Sequence, residues 1–148
     1  MSKILIVYGS TTGNTESIAE VLAKSLQAKG HEASVENASS VKAKGLAEGY
    51  DAVLLGCSAW GDDEIELQDD FVPIVDDFAE LGVNGKKVAA FASGDSSFTH
   101  FCPCVDVVES LAEQHGATVI TSGLRVEGNA SAAPDEIEEF ALAVAANL

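Results

Sequence analysis

Lys3-Ile4-Leu5-Ile6-Val7-Tyr8-Gly9-Ser10-Thr11-Thr12-Gly13-Asn14-Thr15 decides the fold. The first six residues form a continuous apolar run behind a lysine, the pattern of a strand covered on both faces rather than one. A loop of glycines and hydroxyls follows. From Thr15 to Lys29 the apolar residues Ile18, Val21, Leu22 and Leu26 then recur at helical spacing, and Gly30 is a natural C′ stop. A buried strand leading through a tight loop into a helix is the first half of a βαβ unit.

The rest of the chain repeats this alternation, with no internal repeat, linker or low-complexity tract. His31–Glu36 is a weak second strand and Tyr50–Cys57 a strong third one. The spacing of Phe71, Ile74, Val75 and Phe78 predicts an acidic helix over Leu67–Phe78. Lys87–Ala92 is a fourth strand between Gly85 and Gly94, Phe101–His115 a helix ending at Gly116, and Ala117–Leu124 a fifth strand. Pro134 suits the first position of a last helix, with Asp135 and Glu136 in its first turn. Right-handed crossovers then favour an α/β fold: a doubly wound five-stranded parallel sheet of order 2-1-3-4-5 with helices on both faces. Ligands of such sheets bind beyond the carboxyl ends of the strands where the order reverses, between strands 1 and 3.

With 148 residues the chain is expected to be a single domain, residues 1–148. Burial of roughly 70% of the unfolded surface needs no disulfide staple at this size. Cys57, Cys102 and Cys104 are odd in number and sit in ordinary elements, which speaks against a secreted disulfide framework. Met1-Ser2-Lys3 runs straight into the first strand, without the pattern of a secretion signal. The expected location is cytoplasmic. Asp and Glu number 24 against 8 Lys and Arg, a formal charge of −16. That field repels nucleic acid and anionic membranes and attracts basic proteins.

The first loop carries chemistry. Gly9 and Gly13 permit close backbone approach, Ser10, Thr11, Thr12 and Thr15 add hydroxyl donors, and the helix N-terminus supplies unpaired N–H groups with roughly half a positive charge. This is a phosphate cradle, and four hydroxyls with two glycines exceed what one helix cap needs. The loop has no Walker lysine and no Gly-x-Gly-x-x-Gly, which argues against a triphosphatase or a dinucleotide-binding dehydrogenase. A single terminal phosphate fits best. Trp60, the only tryptophan, follows strand 3, and Phe98 lies in the loop after strand 4. The two form a pair of platforms for a planar ring.

Ile6-Val7-Tyr8-Gly9-Ser10-Thr11-Thr12-Gly13-Asn14-Thr15, with Ala19 and Leu22, resembles the phosphate-loop signature of flavodoxins. The likeness continues through Gly56-Cys57-Ser58-Ala59-Trp60-Gly61-Asp62-Asp63 and Ala92-Ser93-Gly94-Asp95-Ser96-Ser97-Phe98, and without a long insertion in strand 5 the chain resembles the short-chain group. The resemblance implies a low-potential one-electron carrier that binds FMN non-covalently and shuttles between semiquinone and hydroquinone. It implies phosphate contacts from Ser10, Thr11, Thr12, Gly13, Asn14, Thr15 and Ser58. It implies further cofactor contacts from Ala59, Trp60, Gly61, Asp62, Ser93, Gly94, Asp95, Phe98, His100, Phe101 and Cys102. Gly61 resembles the residue whose peptide reorients to accept from reduced N5–H, a flip that glycine tolerates cheaply. The family often has Tyr where this chain has Phe98; stacking survives that change and the hydroxyl is lost. Cys102-Pro103-Cys104 supplies only two ligands, too few for a zinc site, and no catalytic residue or metal is expected.

Eight carboxylates fall between positions 62 and 77 (Asp62, Asp63, Glu64, Glu66, Asp69, Asp70, Asp76, Asp77), and no Lys or Arg lies between Lys44 and Lys86. One unit charge about 10 Å from an anionic reduced ring costs it about 0.4 kcal/mol in bulk water and about 1.7 kcal/mol at an effective dielectric near 20. Several together lower the last reduction potential by on the order of 100 mV, since about 59 mV is a tenfold change for one electron. The same charge would steer basic redox proteins onto an acidic rim over residues 62–70 of a monomer. An FMN-dependent reductase of the same fold and a flavodoxin-like activator of one enzyme stay open as alternatives. A receiver domain is disfavoured, because Tyr8-Gly9-Ser10 stands where its acidic pair belongs.

Overall fold

The computed structural model describes residues 2–9, 13–60, 66–67, 70–94, 103–127 and 130–148. Strand β1 (Lys3–Gly9) leads to α1 (Asn14–Ala28), β2 (Glu32–Asn37) and β3 (Ala52–Trp60). A two-residue β4 (Glu66–Leu67), a short α2 (Val72–Asp76), β5 (Lys87–Gly94) and α3 (Pro103–Gln114) follow. The fifth strand of the parallel sheet comes in two pieces, β6 (Thr118–Val119) and β7 (Leu124–Glu127), before the closing helix α4 (Pro134–Ala146).

The sheet runs β2-β1-β3-β5-β6, with β7 also paired to β5. Counted by its main strands this is the expected 2-1-3-4-5 order. All pairings along it are parallel, and the order reverses between β1 and β3. Period-two alternation explains why the central strands read as unbroken apolar runs. Leu5, Val7, Val53, Leu55, Val88 and Ala90 pack on one face with Phe71, Ile74, Phe78 and Val108. Ile4, Ile6, Leu54 and Phe91 pack on the other with Ile18, Leu22, Ile137 and Phe140. Each fully buried Leu, Ile or Phe contributes about 1.5–3 kcal/mol by leaving water. Across the second layer, Lys29 Nζ meets Glu138 Oε1 at 2.5 Å and Ser25 Oγ donates to Glu138 Oε2 at 2.6 Å, tying α1 to α4. Cys57 and Cys104 are thiols buried in the core. No helix among the described residues is long and apolar enough to cross a membrane.

Gly30 (φ 92°) ends α1 and Pro134 opens α4, as the sequence predicts. Three predicted elements differ. The Leu67–Phe78 helix is replaced by β4, which runs antiparallel to β3 with Ala59 opposite Leu67 and Trp60 opposite Glu66, then by the short α2 and a 3₁₀ turn over Phe78–Leu81. The expected apolar face is kept: Phe71, Ile74 and Phe78 are all buried. Strand 3 continues beyond Cys57 to Trp60, because β5 pairs with it as far as Ser58 and β4 pairs with its last two residues. The strand predicted over Ala117–Leu124 is broken. Val88 pairs with Val119 but Phe91 with Leu124, so Ala89 and Ala90 of β5 face four residues, 120–123, of the edge. Such a bulge leaves the extra residues outside the ladder.

Candidate functional site

The carboxyl ends of β1, β3 and β5 meet where the strand order reverses. Gly9 pairs with Cys57, and Ser58 pairs with Ser93. Of the residues predicted to bind the cofactor, Gly13, Asn14 and Thr15 open α1, Ser58, Ala59 and Trp60 end β3, and Ser93 and Gly94 end β5. The topology thus brings the first, second and third predicted segments to one end of the sheet. Ser10, Thr11, Thr12, Gly61, Asp62, Asp95, Phe98, His100, Phe101 and Cys102 lie outside the described residues. Of the acidic run, Asp76, the last residue of α2, and Asp77, its C-cap, are exposed.

Gly13 is the N-cap of α1 in the left-handed region, φ 88°. A Cβ there would meet nothing within 4 Å, so the backbone angle and not crowding demands glycine. The cap residue has no side chain with which to occupy the first-turn N–H groups. This 15-residue helix therefore starts, at its positive dipole end, without a hydrogen bond from a cap side chain.

Thr15 and Ser93 are the two buried polar side chains among the described core residues, 0% and 2% exposed. Their hydroxyls meet at 2.7 Å across 78 residues of sequence. A buried hydroxyl without a partner costs about 1–3 kcal/mol, so each covers the other. The bond fastens the first turn of α1 to the end of β5, the strand that enters the third predicted loop. One proton is consumed between the two oxygens and one remains to be donated.

Two further contacts brace the same end. Ser17 Oγ donates to the Asn14 carbonyl at 2.7 Å and accepts from the Ala130 N–H at 3.0 Å, which ties the segment after β7 to the start of α1. The Tyr8 hydroxyl donates to Glu16 Oε2 at 2.8 Å. Burial pushes the Tyr8 phenol up from its ordinary value near 10, and the bond to Glu16 and its negative charge push it further; a bond with Asn37 pulls the other way. Sequence reasoning missed Ser17, Tyr8 and Glu16. The available signals were a hydroxyl-bearing aromatic at the end of an otherwise aliphatic strand and an acid eight residues on. Ser17 carries no local signal, since its partner lies 113 residues away.

This arrangement suits a small anion. Among the described residues its donors are backbone N–H groups and hydroxyls at a strand–helix junction, without a cation. A flavodoxin family model matches residues 6–141. The chain is 49% identical over 129 residues to a flavodoxin of Maridesulfovibrio salexigens, covering 87% of this chain and 88% of that one. It is 43% identical over 141 residues to a flavodoxin of Nitratidesulfovibrio vulgaris, covering 95% of each. Among solved structures, oxidised Flavodoxin 2 from Bacillus cereus is 36% identical and superposes with a TM-score of 0.90 over 99% of this chain and 100% of that one.

Proposed function

The chain belongs to the flavodoxin family of FMN-binding electron carriers, and from that premise we propose how residues 1–148, as one domain, hold the cofactor and meet their partners. FMN, when bound, supplies the redox chemistry, one electron at a time. The chain's own residues bind it, orient it and set its surroundings. The N-terminus of α1 would hold the phosphate through Ser10, Thr11, Thr12, Gly13, Asn14 and Thr15, with Ser58 as a further donor. Trp60 and Phe98 would hold the ring. Backbone groups of Asp62, Gly94, Asp95 and Cys102 would bind its pyrimidine edge, the Gly61 carbonyl would accept at N5, and Ala59, His100 and Phe101 would complete the rim.

One observation carries this reading: the N-terminus of α1, whose cap residue makes no side-chain hydrogen bond, is fastened by the buried Thr15–Ser93 bond to the strand that leads into the third predicted loop. A phosphate monoester fits a donor set of N–H and hydroxyl groups with no lysine, because its two charges are met by the helix end and by hydrogen bonds.

The protein is a carrier rather than an enzyme in this reading, working in the cytoplasm, and its redox partners are basic proteins that dock as it stands, a monomer, on the acidic rim of residues 62–70. The formal charge of −16 supports that choice of partner. Anaerobic dithionite titration of the purified protein, followed by visible absorption, tests cofactor and carrier together. The expected result is a yellow protein that develops a long-wavelength band at half reduction and loses it on full reduction. A colourless protein that takes up no added FMN overturns the reading. Steady oxidation of NAD(P)H by the protein alone overturns the carrier assignment. Association with a basic redox protein that hardly slows between low and physiological salt overturns the docking face, since exposed charges are screened within about 8 Å at 0.15 M.

A further inference from the structure

We propose that Ser93 is a positioning residue for the phosphate end of the cofactor: it acts through the Thr15 hydroxyl and not on the ring, although it lies on the strand that enters a ring-side loop. The inference rests on the reading that the phosphate occupies the N-terminus of α1.

Thr15 and Ser93 are both covered, and their oxygens are 2.7 Å apart. Either oxygen can donate to the other, so the pair alone has two proton arrangements. A phosphate dianion at the first turn of α1 accepts but does not donate. Its presence selects one arrangement: Ser93 donates to Thr15, and Thr15 keeps its own proton for the anion. A hydroxyl that accepts one hydrogen bond is polarised and donates a stronger one, by about a tenth to a third. Thr15 is the second residue of α1, two past the N-cap Gly13. Ser93 sits on β5, paired with Ser58 of β3 and Val126 of β7 and so held by the sheet on both sides. A strand residue fixed by two ladders sets the height and direction of a hydroxyl on the helix. Ser93 therefore confers preference for a phosphorylated flavin over an unphosphorylated one.

Affinity of apoprotein for FMN and for riboflavin, measured by quenching of flavin fluorescence in phosphate-free buffer, tests this for wild type, Ser93→Ala, Thr15→Val and the double variant. Ser93→Ala should raise the FMN dissociation constant about 3- to 10-fold, the worth of one hydrogen bond, and change that for riboflavin less than twofold. On the Thr15→Val background, Ser93→Ala should add less than twofold for FMN. Equal loss of FMN and riboflavin affinity would mean that Ser93 serves the ring, and full additivity with Thr15→Val would mean that it does not act through Thr15. Either result, or unchanged FMN affinity in Ser93→Ala, overturns the proposal. Unchanged FMN affinity in Thr15→Val, by contrast, removes the premise that the phosphate sits at α1. Circular dichroism and urea midpoints establish that each variant folds; should Ser93→Ala not fold, Ser93→Cys keeps the volume with a weaker donor and must show the same FMN-selective loss.

Discussion

Gly56 lies in the middle of the sheet, paired with Tyr8 on β1 and with Phe91 on β5. A methyl group there would stand 2.4 Å from the Phe91 carbonyl oxygen and 2.5 Å from two atoms of its ring. Ordinary contact needs about 3.5 Å or more, so Gly56→Ala demands about 1 Å of movement from a backbone and a ring at once. The ring has no route to solvent, as Phe91 is fully buried, and the carbonyl moves only if β5 moves. Overpacking of this kind costs about 1–3 kcal/mol. Loss of backbone freedom in the unfolded chain returns about 0.4–1 kcal/mol. The net expectation is a loss of about 1–2 kcal/mol, and at about 2–4 °C per kcal/mol for a chain of this size the melting temperature of apoprotein falls by about 2–8 °C. Differential scanning calorimetry and urea unfolding both read it. Because Ser93 lies two residues along the displaced strand, FMN affinity should fall as well. In the Gly56→Ala/Phe91→Leu double variant the smaller side chain frees the ring contact, so Gly56→Ala should cost less there than alone. A Gly56→Ala protein that melts within 1 °C of wild type refutes the close-approach account.

The Tyr8 phenol ionises later than an ordinary one because it is buried and bonded to Glu16. With a folded pKa above the unfolded value near 10, the neutral phenol stabilises the fold fully below pH 10, and that contribution is lost as pH rises through the folded value. Tyr8→Phe should remove a step above pH 10 in absorbance at 295 nm and flatten the alkaline loss of stability; a wild-type curve with no step above pH 10 sinks the assignment. Ser17→Ala leaves the Ala130 N–H without its acceptor, and urea unfolding should show a loss of about 1–3 kcal/mol, accompanied by faster proteolytic cleavage near residue 130. Unchanged cleavage and stability would mean that water replaces the serine.

Strand β1, helix α1 and the pairing order were legible because their signals are local or statistical: an apolar run, helical spacing, a glycine stop. What escaped was set by partners far along the chain. Phe71, Ile74 and Phe78 have helical spacing and do share a buried face, yet β4 pairs back onto β3 just before them, and the helix starts only at Val72, with Pro73 in its first turn. Trp60 read as a loop residue because the pairing that extends β3 comes from β4 and β5, neither of which marks its sequence. The break in the fifth strand had a visible cause in Thr121-Ser122-Gly123, three turn-prone residues within an apolar run. At the site, the residue types of the loops were readable as donors and platforms. The Thr15–Ser93 bond was not, because nothing in either segment names a partner 78 residues away.

The bulge on the sheet edge gives the molecule a place to be lengthened. Ile120 still donates to Val88, and Gly123 is anchored by its N–H to Glu109 and by a close approach to Val105. Between these two fixed points Thr121 is half-buried and Ser122 exposed, and neither pairs with β5. Residues added between them remove no ladder bond, and the entropy of closing a longer loop grows only slowly with its length. A peptide tag or a small reporter module spliced there leaves both termini untouched and keeps β5, with Ser93, in register. The same irregularity shortens the exposed strand to fragments of two and four residues, which denies neighbouring molecules a long edge on which to stack.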